Sequence, residues 1–279
     1  MENKNISAIK FENISFSYPG EKECLSDISF NINSGEKVLL LGKNGSGKST
    51  ISKLIDGILK PNSGDIYIFN NKMNDDNAPA LREDIGLIFQ NPDEQFICST
   101  VKEEIAFGLE NRCVDPKDMK DIILNCAKKV SMENYLESEP SNLSGGQKQR
   151  VALAAFIALS PKILILDEAT AMLDPKGKKD VENIIVQMKK ENKDLTIIKI
   201  SHEMEDFDLY DRIIIIKDNK IFFNDVPSKL NLEIINDAKI NIPFYFEIVK
   251  QLNSKVKGLS SVKSSLDLME LLCQLKLKN

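Results

Sequence analysis

The sequence predicts an α/β fold in which a parallel sheet is covered by helices on both faces and interrupted by a helical insertion. Three observations predict it. Short apolar runs recur at Lys37–Leu41, Ile85–Phe89, Lys162–Leu166, Leu195–Ile200 and Arg212–Ile216, with helical segments between several of them. Alternating βα units imply parallel strands buried on both faces. The run at Lys37–Leu41 passes directly into a glycine-rich loop and then a helical stretch, Lys48–Leu59. From about Phe96 to Leu159 the alternation stops and the chain reads mostly helical.

Each element has a local reason. At the start, Ile9 and Phe11, Phe16 and Tyr18, and Ile28, Phe30 and Ile32 are spaced by two, the period of half-buried strands. Pro19-Gly20 marks a turn between them. Lys37–Leu41, bounded by Gly35 and Gly42, is a continuous apolar run of the kind found in buried parallel strands. Thr100 with Glu103 forms a capping box ahead of Ile105 and Phe107. Asp218-Asn219 turns Ile213–Lys217 back into Lys220–Phe223 as a hairpin. Two amphipathic helices are expected at the C-terminus. One is marked by Phe244, Tyr245, Ile248, Val249 and Leu252, the other by Leu268, Met269, Leu271, Leu272 and Leu275 after a Ser264 cap. Such stripes pack either on their own domain or on a partner.

Composition narrows the function classes. The chain has 279 residues, 42% of them hydrophobic, enough to bury a sizeable core. The balance of 37 basic against 42 acidic residues lacks the basic excess of a nucleic-acid binder. The five cysteines have no CxxC spacing, so reduced thiols are expected rather than a disulfide framework or zinc site. Met1–Lys10 lacks the apolar segment of a signal peptide, and no apolar run is long enough to span a bilayer.

The chemistry centres on Gly42–Thr50, GKNGSGKST. A triphosphate needs many donors, and glycines at 42, 45 and 47 let the backbone wrap closely and point N–H groups inward. The next helix aims its positive end at the anion. Lys48 adds a full charge and Ser49 a hydroxyl suited to Mg²⁺. Asp167 and Glu168 end an apolar strand, where ligands collect in open α/β sheets. Asp167 is placed to hold Mg²⁺ through water, and Glu168 to polarise an attacking water. Acids also cap buried strands with no catalytic part. His202, the only histidine, follows the strand Leu195–Ile200 and is expected to face the γ-phosphate, although lone histidines are more often structural.

Leu143-Ser-Gly-Gly-Gln147 completes an ordered set with Gly42–Thr50, Gln90, Asp167-Glu168, Asp174 and His202. Over about Ala8 to Asp225 the chain resembles the ATP-binding-cassette (ABC) ATPases. The resemblance implies a P-loop NTPase fold with an N-terminal antiparallel β subdomain, a parallel-sheet core, a helical subdomain over about 96–159, and a C-terminal helical extension over 241–279 beyond a nucleotide-binding domain of 1–240. It implies ATP and Mg²⁺ as ligands. Tyr18 matches the aromatic that stacks on adenine, the alternative being a strand-core tyrosine. Gly42, Asn44, Gly45, Ser46, Gly47, Lys48, Ser49 and Thr50 match the phosphate and magnesium loop. Gln90 matches the glutamine that joins the Mg²⁺ shell and senses the transmembrane partner. Asp167, Glu168 and His202 match the metal-associated acid, catalytic base and switch histidine. Ser144, Gly145, Gly146 and Gln147 match the signature that completes an opposing subunit's site, and Asp174 the acid of the loop that crosses the dimer interface. Like Lys48, Ser144–Gly146 precedes a helix, so two anion sites could sandwich one nucleotide if two subunits met head to tail.

A narrower resemblance, to energy-coupling-factor (ECF) transporter ATPases of vitamin and cobalt/nickel importers, rests on Gln90-Asn-Pro-Asp-Glu-Gln95, Ser99-Thr-Val101 and Ala106-Phe-Gly-Leu109. Asp167-Glu-Ala-Thr-Ala-Met-Leu-Asp174-Pro is similar to the first of that group's two paralogues, with Ala171 where a serine is usual. Ile242-Pro-Phe244 and the tail helices are similar to its dimerisation extension. The implied partners are a second ABC ATPase subunit, with a paralogue heterodimer favoured over a homodimer, a T-component membrane scaffold and a substrate-binding S-component, on the cytoplasmic face of the membrane. A cassette acting on DNA or the ribosome is disfavoured by the absence of a heptad run, zinc spacing or second cassette. A non-hydrolysing scaffold is disfavoured by the intact Glu168 and His202.

Overall fold

The computed structural model describes residues 6–204 and 207–241. In chain order its strands are β1 (Ser7–Ser17), β2 (Glu23–Asn33), β3 (Lys37–Gly42), β4 (Ser63–Ile68), β5 (Asn71–Lys72), β6 (Ile85–Ile88), β7 (Ile163–Asp167), β8 (Thr196–Ser201), β9 (Arg212–Lys217) and β10 (Lys220–Asp225). The helices are α1 (Lys48–Ile55), α2 (Ala78–Arg82), α3 (Val101–Asn111), α4 (Pro116–Lys129), α5 (Gly145–Leu159), α6 (Pro175–Glu191) and α7 (Leu232–Ala238), with short 3₁₀ turns between some of them.

The strands form two sheets. One is antiparallel, in the order β2-β1-β4-β5. In β1 the large buried residues are Ile9 and Phe11, then Ile14 and Phe16, with Ala8 buried as well, so the period of two slips by one residue between Phe11 and Ile14. The β1–β2 register shifts there, and Asn13 and the facing Asp27 take φ of 50° and 53°. This bulge keeps both halves of the strand on the core face. Phe11 stacks on Phe30 at 4.6 Å.

The second sheet runs β10-β9-β3-β8-β7-β6, parallel throughout except for the β9–β10 hairpin. Every residue of β3 and β7 is buried, as a strand covered on both faces requires. One core, including Phe11, Ile28, Leu54, Ile165 and Ile198, joins the two sheets and α1. A second, including Ile105, Ile123, Val151, Leu164 and Ile185, seats the helical insertion and α6 on the parallel sheet. A third lies under α7 around Leu39, Ile213 and Ile235.

The expected β subdomain, parallel core and helices are all present, with α3, α4 and α5 lying between Val101 and Leu159. The helix after the glycine-rich loop is shorter than predicted. It ends at Ile55 rather than Leu59, with Asp56 as its C-cap and Gly57 at φ 70°, a left-handed conformation that glycine adopts without steric cost. Tyr18 lies one residue beyond β1. The segment 60–84, for which the sequence suggests no element, holds β4, β5 and α2. No helix among the described residues is long and apolar enough to cross a membrane. The two predicted tail helices, with Ser264, lie outside the described residues.

Candidate active site

The glycine-rich loop leaves the C-terminal end of β3. A Cβ on Gly42 would lie 2.4 Å from Ser46 Oγ and 2.7 Å from the Ile216 carbonyl, so the loop can fold back on itself only without a side chain there. Gly47, at φ 92°, is the N-cap of α1. Lys48 is 4% exposed. Its ammonium donates to the carbonyls of Gly42 (2.9 Å) and Lys43 (3.0 Å) and sits 3.5 Å from Glu168 Oε1. Burial lowers the Lys48 pKa, and the Glu168 charge opposes that shift. Ser46 Oγ is buried with no hydrogen-bond partner among the described residues, a polar atom that a ligand in the loop would satisfy.

Asp167 ends β7 and is 5% exposed. Ser49 Oγ donates to its Oδ1 at 3.0 Å, and Ser52 Oγ to its Oδ2 at 2.8 Å. Burial pushes the Asp167 carboxyl above its ordinary pKa, against the pull of the Ser52 and Ser49 hydroxyls. Hard oxygen donors at this spacing fit a small divalent cation such as Mg²⁺. The next residue, Glu168, has φ 48°, and its N–H donates to the Ile200 carbonyl on β8. A glutamate held in the left-handed region marks stored backbone strain, which concentrates at functional sites. His202, just past β8, has Nδ1 3.5 Å from Glu168 Oε2, within ion-pair range but without an aligned hydrogen bond.

Lys48 and Glu168 open onto a cavity of about 620 Å³, whose lining does not include Gly42, Ser46, Asp167 or His202. Tyr18, Asn44, Gly45, Gly47, Lys48, Ser49, Thr50, Gln90 and Glu168 all line it. The Tyr18 hydroxyl lies 3.2 Å from Thr50 Oγ1, so its polar tip touches the glycine-rich loop. Strand topology brings these residues together: the carboxyl ends of the adjacent strands β3, β8 and β7 deliver Lys48, His202 and Asp167-Glu168 to one edge of the sheet.

The other predicted residues form a separate group. Ser144, Gly145, Gly146, Gln147 and Asp174 do not line this cavity. Ser144 and Gln147 form a capping box at the start of α5: Ser144 N–H donates to Gln147 Oε1 (2.8 Å) and Gln147 N–H to Ser144 Oγ (3.4 Å). Asp174 caps α6 through the Gly177 N–H at 2.9 Å. The two helix starts are neighbours, since a Cβ on Gly146 would meet Gly177 Cα at 3.8 Å and one on Gly145 would meet Leu173 at the same distance. Ser144, Gly145 and Asp174 are exposed, and so is Met172 at 66%.

Residues that motif reading missed complete the picture. Ser52, four residues after Lys48 and wholly buried, is the second hydroxyl on Asp167. A serine beside Ile51, Leu54 and Ile55 on the buried side of α1 was the available signal. Glu21, Lys22, Glu23, Cys24 and Asn219 line the cavity from loops and strand ends with no motif of their own. Gln149, 2% exposed, donates to the Phe89 carbonyl beside Gln90 at 3.3 Å, and Lys148 pairs with Asp93. The start of α5 is thereby tied to the segment after β6.

The ABC transporter family model matches residues 25–171. The energy-coupling factor transporter ATP-binding protein EcfA1 of Mycoplasmoides gallisepticum is 43% identical over 275 residues, covering 98% of each chain. The protein of the same description from Ligilactobacillus salivarius is 42% identical over 276 residues, covering 97% of each. Among solved structures, cbiO1 from Clostridium perfringens, part of the ABC transporter complex cbiONQ, is 32% identical with a TM-score of 0.74, over 90% of this chain and 96% of that one. A dimeric ATP-binding cassette in a post-hydrolysis state with ADP and Pi is 30% identical with a TM-score of 0.71, over 78% of this chain and 98% of that one.

Proposed function

Because this chain belongs to the ABC transporter family, as an ATP-hydrolysing, ATP-binding component of the energy-coupling-factor type, we propose that its residues divide the work between two half-sites. The observation that carries the proposal is the separation of the two groups. Tyr18, Asn44, Gly45, Gly47, Lys48, Ser49, Thr50, Gln90 and Glu168 share one cavity, while the Ser144–Gln147 and Asp174 group does not line it and gathers instead at the neighbouring starts of α5 and α6.

In the first half-site the N–H groups of Asn44 to Thr50 and the Lys48 ammonium hold the phosphates, and Tyr18 stacks on the base. Ser49, Asp167 and Gln90 would hold Mg²⁺, which supplies charge neutralisation on the phosphates. Glu168 accepts the proton of the attacking water, and His202, 3.5 Å from its carboxylate, faces the terminal phosphate. In the second, the Ser144–Gly146 end of α5, exposed at Ser144 and Gly145, offers N–H donors and a positive helix end to nucleotide held by another subunit, with Asp174 crossing the interface. The dimeric cassette holding ADP and Pi supports this reading. The partner is a paralogous ATPase rather than a second copy. The pair sits on the cytoplasmic face of the membrane against a T-component scaffold and an S-component, and drives uptake of a vitamin or transition-metal ion. Nucleic acid is not a partner.

Two variants test the catalytic assignment. Glu168→Gln should keep nucleotide binding and lower kcat by about 10²-fold or more, the usual contribution of a general base. Lys48→Ala should lose nucleotide binding. Rapid steady-state turnover by Glu168→Gln, or unchanged ATP affinity in Lys48→Ala, would overturn it.

A further inference from the structure

The β9–β10 hairpin reaches across to the other sheet at its tip. Asp218 and Asn219 have φ of 49° and 64°, two consecutive left-handed residues in a two-residue hairpin turn. Asn219 then makes two bonds to β2, the edge strand of the antiparallel sheet. Its carbonyl accepts the Ser26 N–H at 2.8 Å, and its carboxamide Nδ2 donates to the Glu23 carbonyl at 2.5 Å.

Between those two anchor points lie Cys24 and Leu25, which press on the phosphate loop. A Cβ on Gly47 would stand 2.5 Å from Leu25 Cδ2 and 3.1 Å from the Cys24 carbonyl. Cys24 Sγ lies 3.4 Å from Thr50 Oγ1, the hydroxyl that Tyr18 also approaches. Glu23, Cys24 and Asn219 all line the nucleotide cavity. The start of β2 is thus held between the loop on one side and Asn219 on the other, and it forms a cavity wall with no phosphate-binding group of its own.

We propose that Asn219 is a positioning residue for the nucleoside part of ATP: its carboxamide clamps the Glu23–Ser26 wall and so sets affinity for the base and ribose, leaving the catalytic step untouched. This rests on the ATP site proposed above. The carboxamide nitrogen is occupied by Glu23, which fixes the orientation of the side chain. Both turn residues tolerate left-handed φ, so glycine at 219 keeps the turn and the carbonyl that receives Ser26 and removes only the carboxamide.

The test compares Asn219→Gly and Asn219→Asp with the unaltered protein in full-length chain, by steady-state hydrolysis and by direct binding of ATP and of inorganic tripolyphosphate. Aspartate retains the shape but cannot donate to Glu23. Both variants should raise KM for ATP about three- to tenfold, the scale of one neutral hydrogen bond. They should leave kcat at saturating ATP within about twofold and tripolyphosphate affinity unchanged. An unchanged KM in both variants overturns the proposal. So does an equal loss of ATP and tripolyphosphate affinity, which would mark a purely structural strap. Lys48→Ala in parallel separates this from failure of the site itself, because it must abolish binding of both ligands if the phosphate loop is correctly assigned.

Discussion

Asp56→Asn should stabilise the protein, by an amount that depends on pH. Asp56 caps the C-terminus of α1, the helix that begins at the phosphate loop. A negative charge there meets the negative end of the helix dipole. Its carboxyl is pushed up from 3.8 to about 6 by burial, with Arg82 opposing. Arg82 is committed in part elsewhere, donating to the Asp56 and Gly57 carbonyls. For a carboxyl raised in the folded state, both states are protonated below the unfolded pKa and no penalty exists. Above that value the unfolded chain releases a proton that the folded chain keeps. The penalty therefore grows as pH rises and is complete above the folded pKa. At 1.36 kcal/mol per unit it reaches about 3 kcal/mol at pH 7.5 and about 1.6 kcal/mol at pH 5.0. Asparagine has the same shape and no charge. Urea denaturation of Asp56→Asn should show a gain near the larger figure at pH 7.5 that shrinks by about half at pH 5.0. A gain independent of pH, or none at pH 7.5, would refute burial as the origin of the effect.

Further outcomes follow from the same geometry. Ser52→Ala removes one of two hydroxyls on the buried Asp167. It should cost about 1.5–3 kcal/mol in thermal or chemical unfolding, as a hydrogen bond to a charged group does, and should raise the Mg²⁺ concentration needed for half-maximal hydrolysis. Gly47→Ala forces a left-handed alanine against Leu25 at 2.5 Å. It should destabilise by about 1–3 kcal/mol and weaken ATP binding, measured by calorimetry; native-like affinity would show that the loop is not held in this conformation. Purified from native membranes, the chain should co-migrate with a second ATPase and a membrane protein, and recovery of no membrane protein would count against transport.

The parts of this molecule that were legible in the sequence are those where one residue type answers one physical demand. A loop that folds back on itself this tightly needs glycine at 42 and 47, and the distances to Ser46, Ile216 and Leu25 show why. Fully buried parallel strands need unbroken aliphatic runs, so β3 and β7 were found to within a residue. The Asp218-Asn219 hairpin followed from turn chemistry alone. What escaped was set by partners distant in sequence. β4 shows only the short alternation of Ile66 and Ile68 and β5 has no apolar residue, and they are strands because β1 pairs with β4 and β4 with β5. Ser52 and Asn219 carry no motif; their importance comes from Asp167, 115 residues later, and Glu23, 196 residues earlier. Gln147 shows the converse case. The motif names it for recognition, but within this chain its side chain closes the cap of α5 on Ser144.

The division into two half-sites makes subunit composition measurable by counting nucleotides. Lys48 and Ser144 belong to different groups in this chain. In the proposed assembly each ATP takes the loop of one subunit and the signature helix of the other. If the partner is a paralogue, Lys48→Ala removes only the site built on this chain's loop, and one ATP per pair remains trapped. Ser144→Arg instead places a long side chain at the exposed start of α5 and removes only the site built on the partner's loop. The double variant then loses both. In a homodimer the two substitutions fall symmetrically, and either alone removes both sites. Trapped nucleotide per pair of ATPase chains, measured with hydrolysis blocked, separates the cases. One nucleotide in each single variant and none in the double variant supports the heterodimer. None in either single variant requires a second copy of this chain as the partner. Two nucleotides retained in Lys48→Ala would refute the phosphate loop as a site at all.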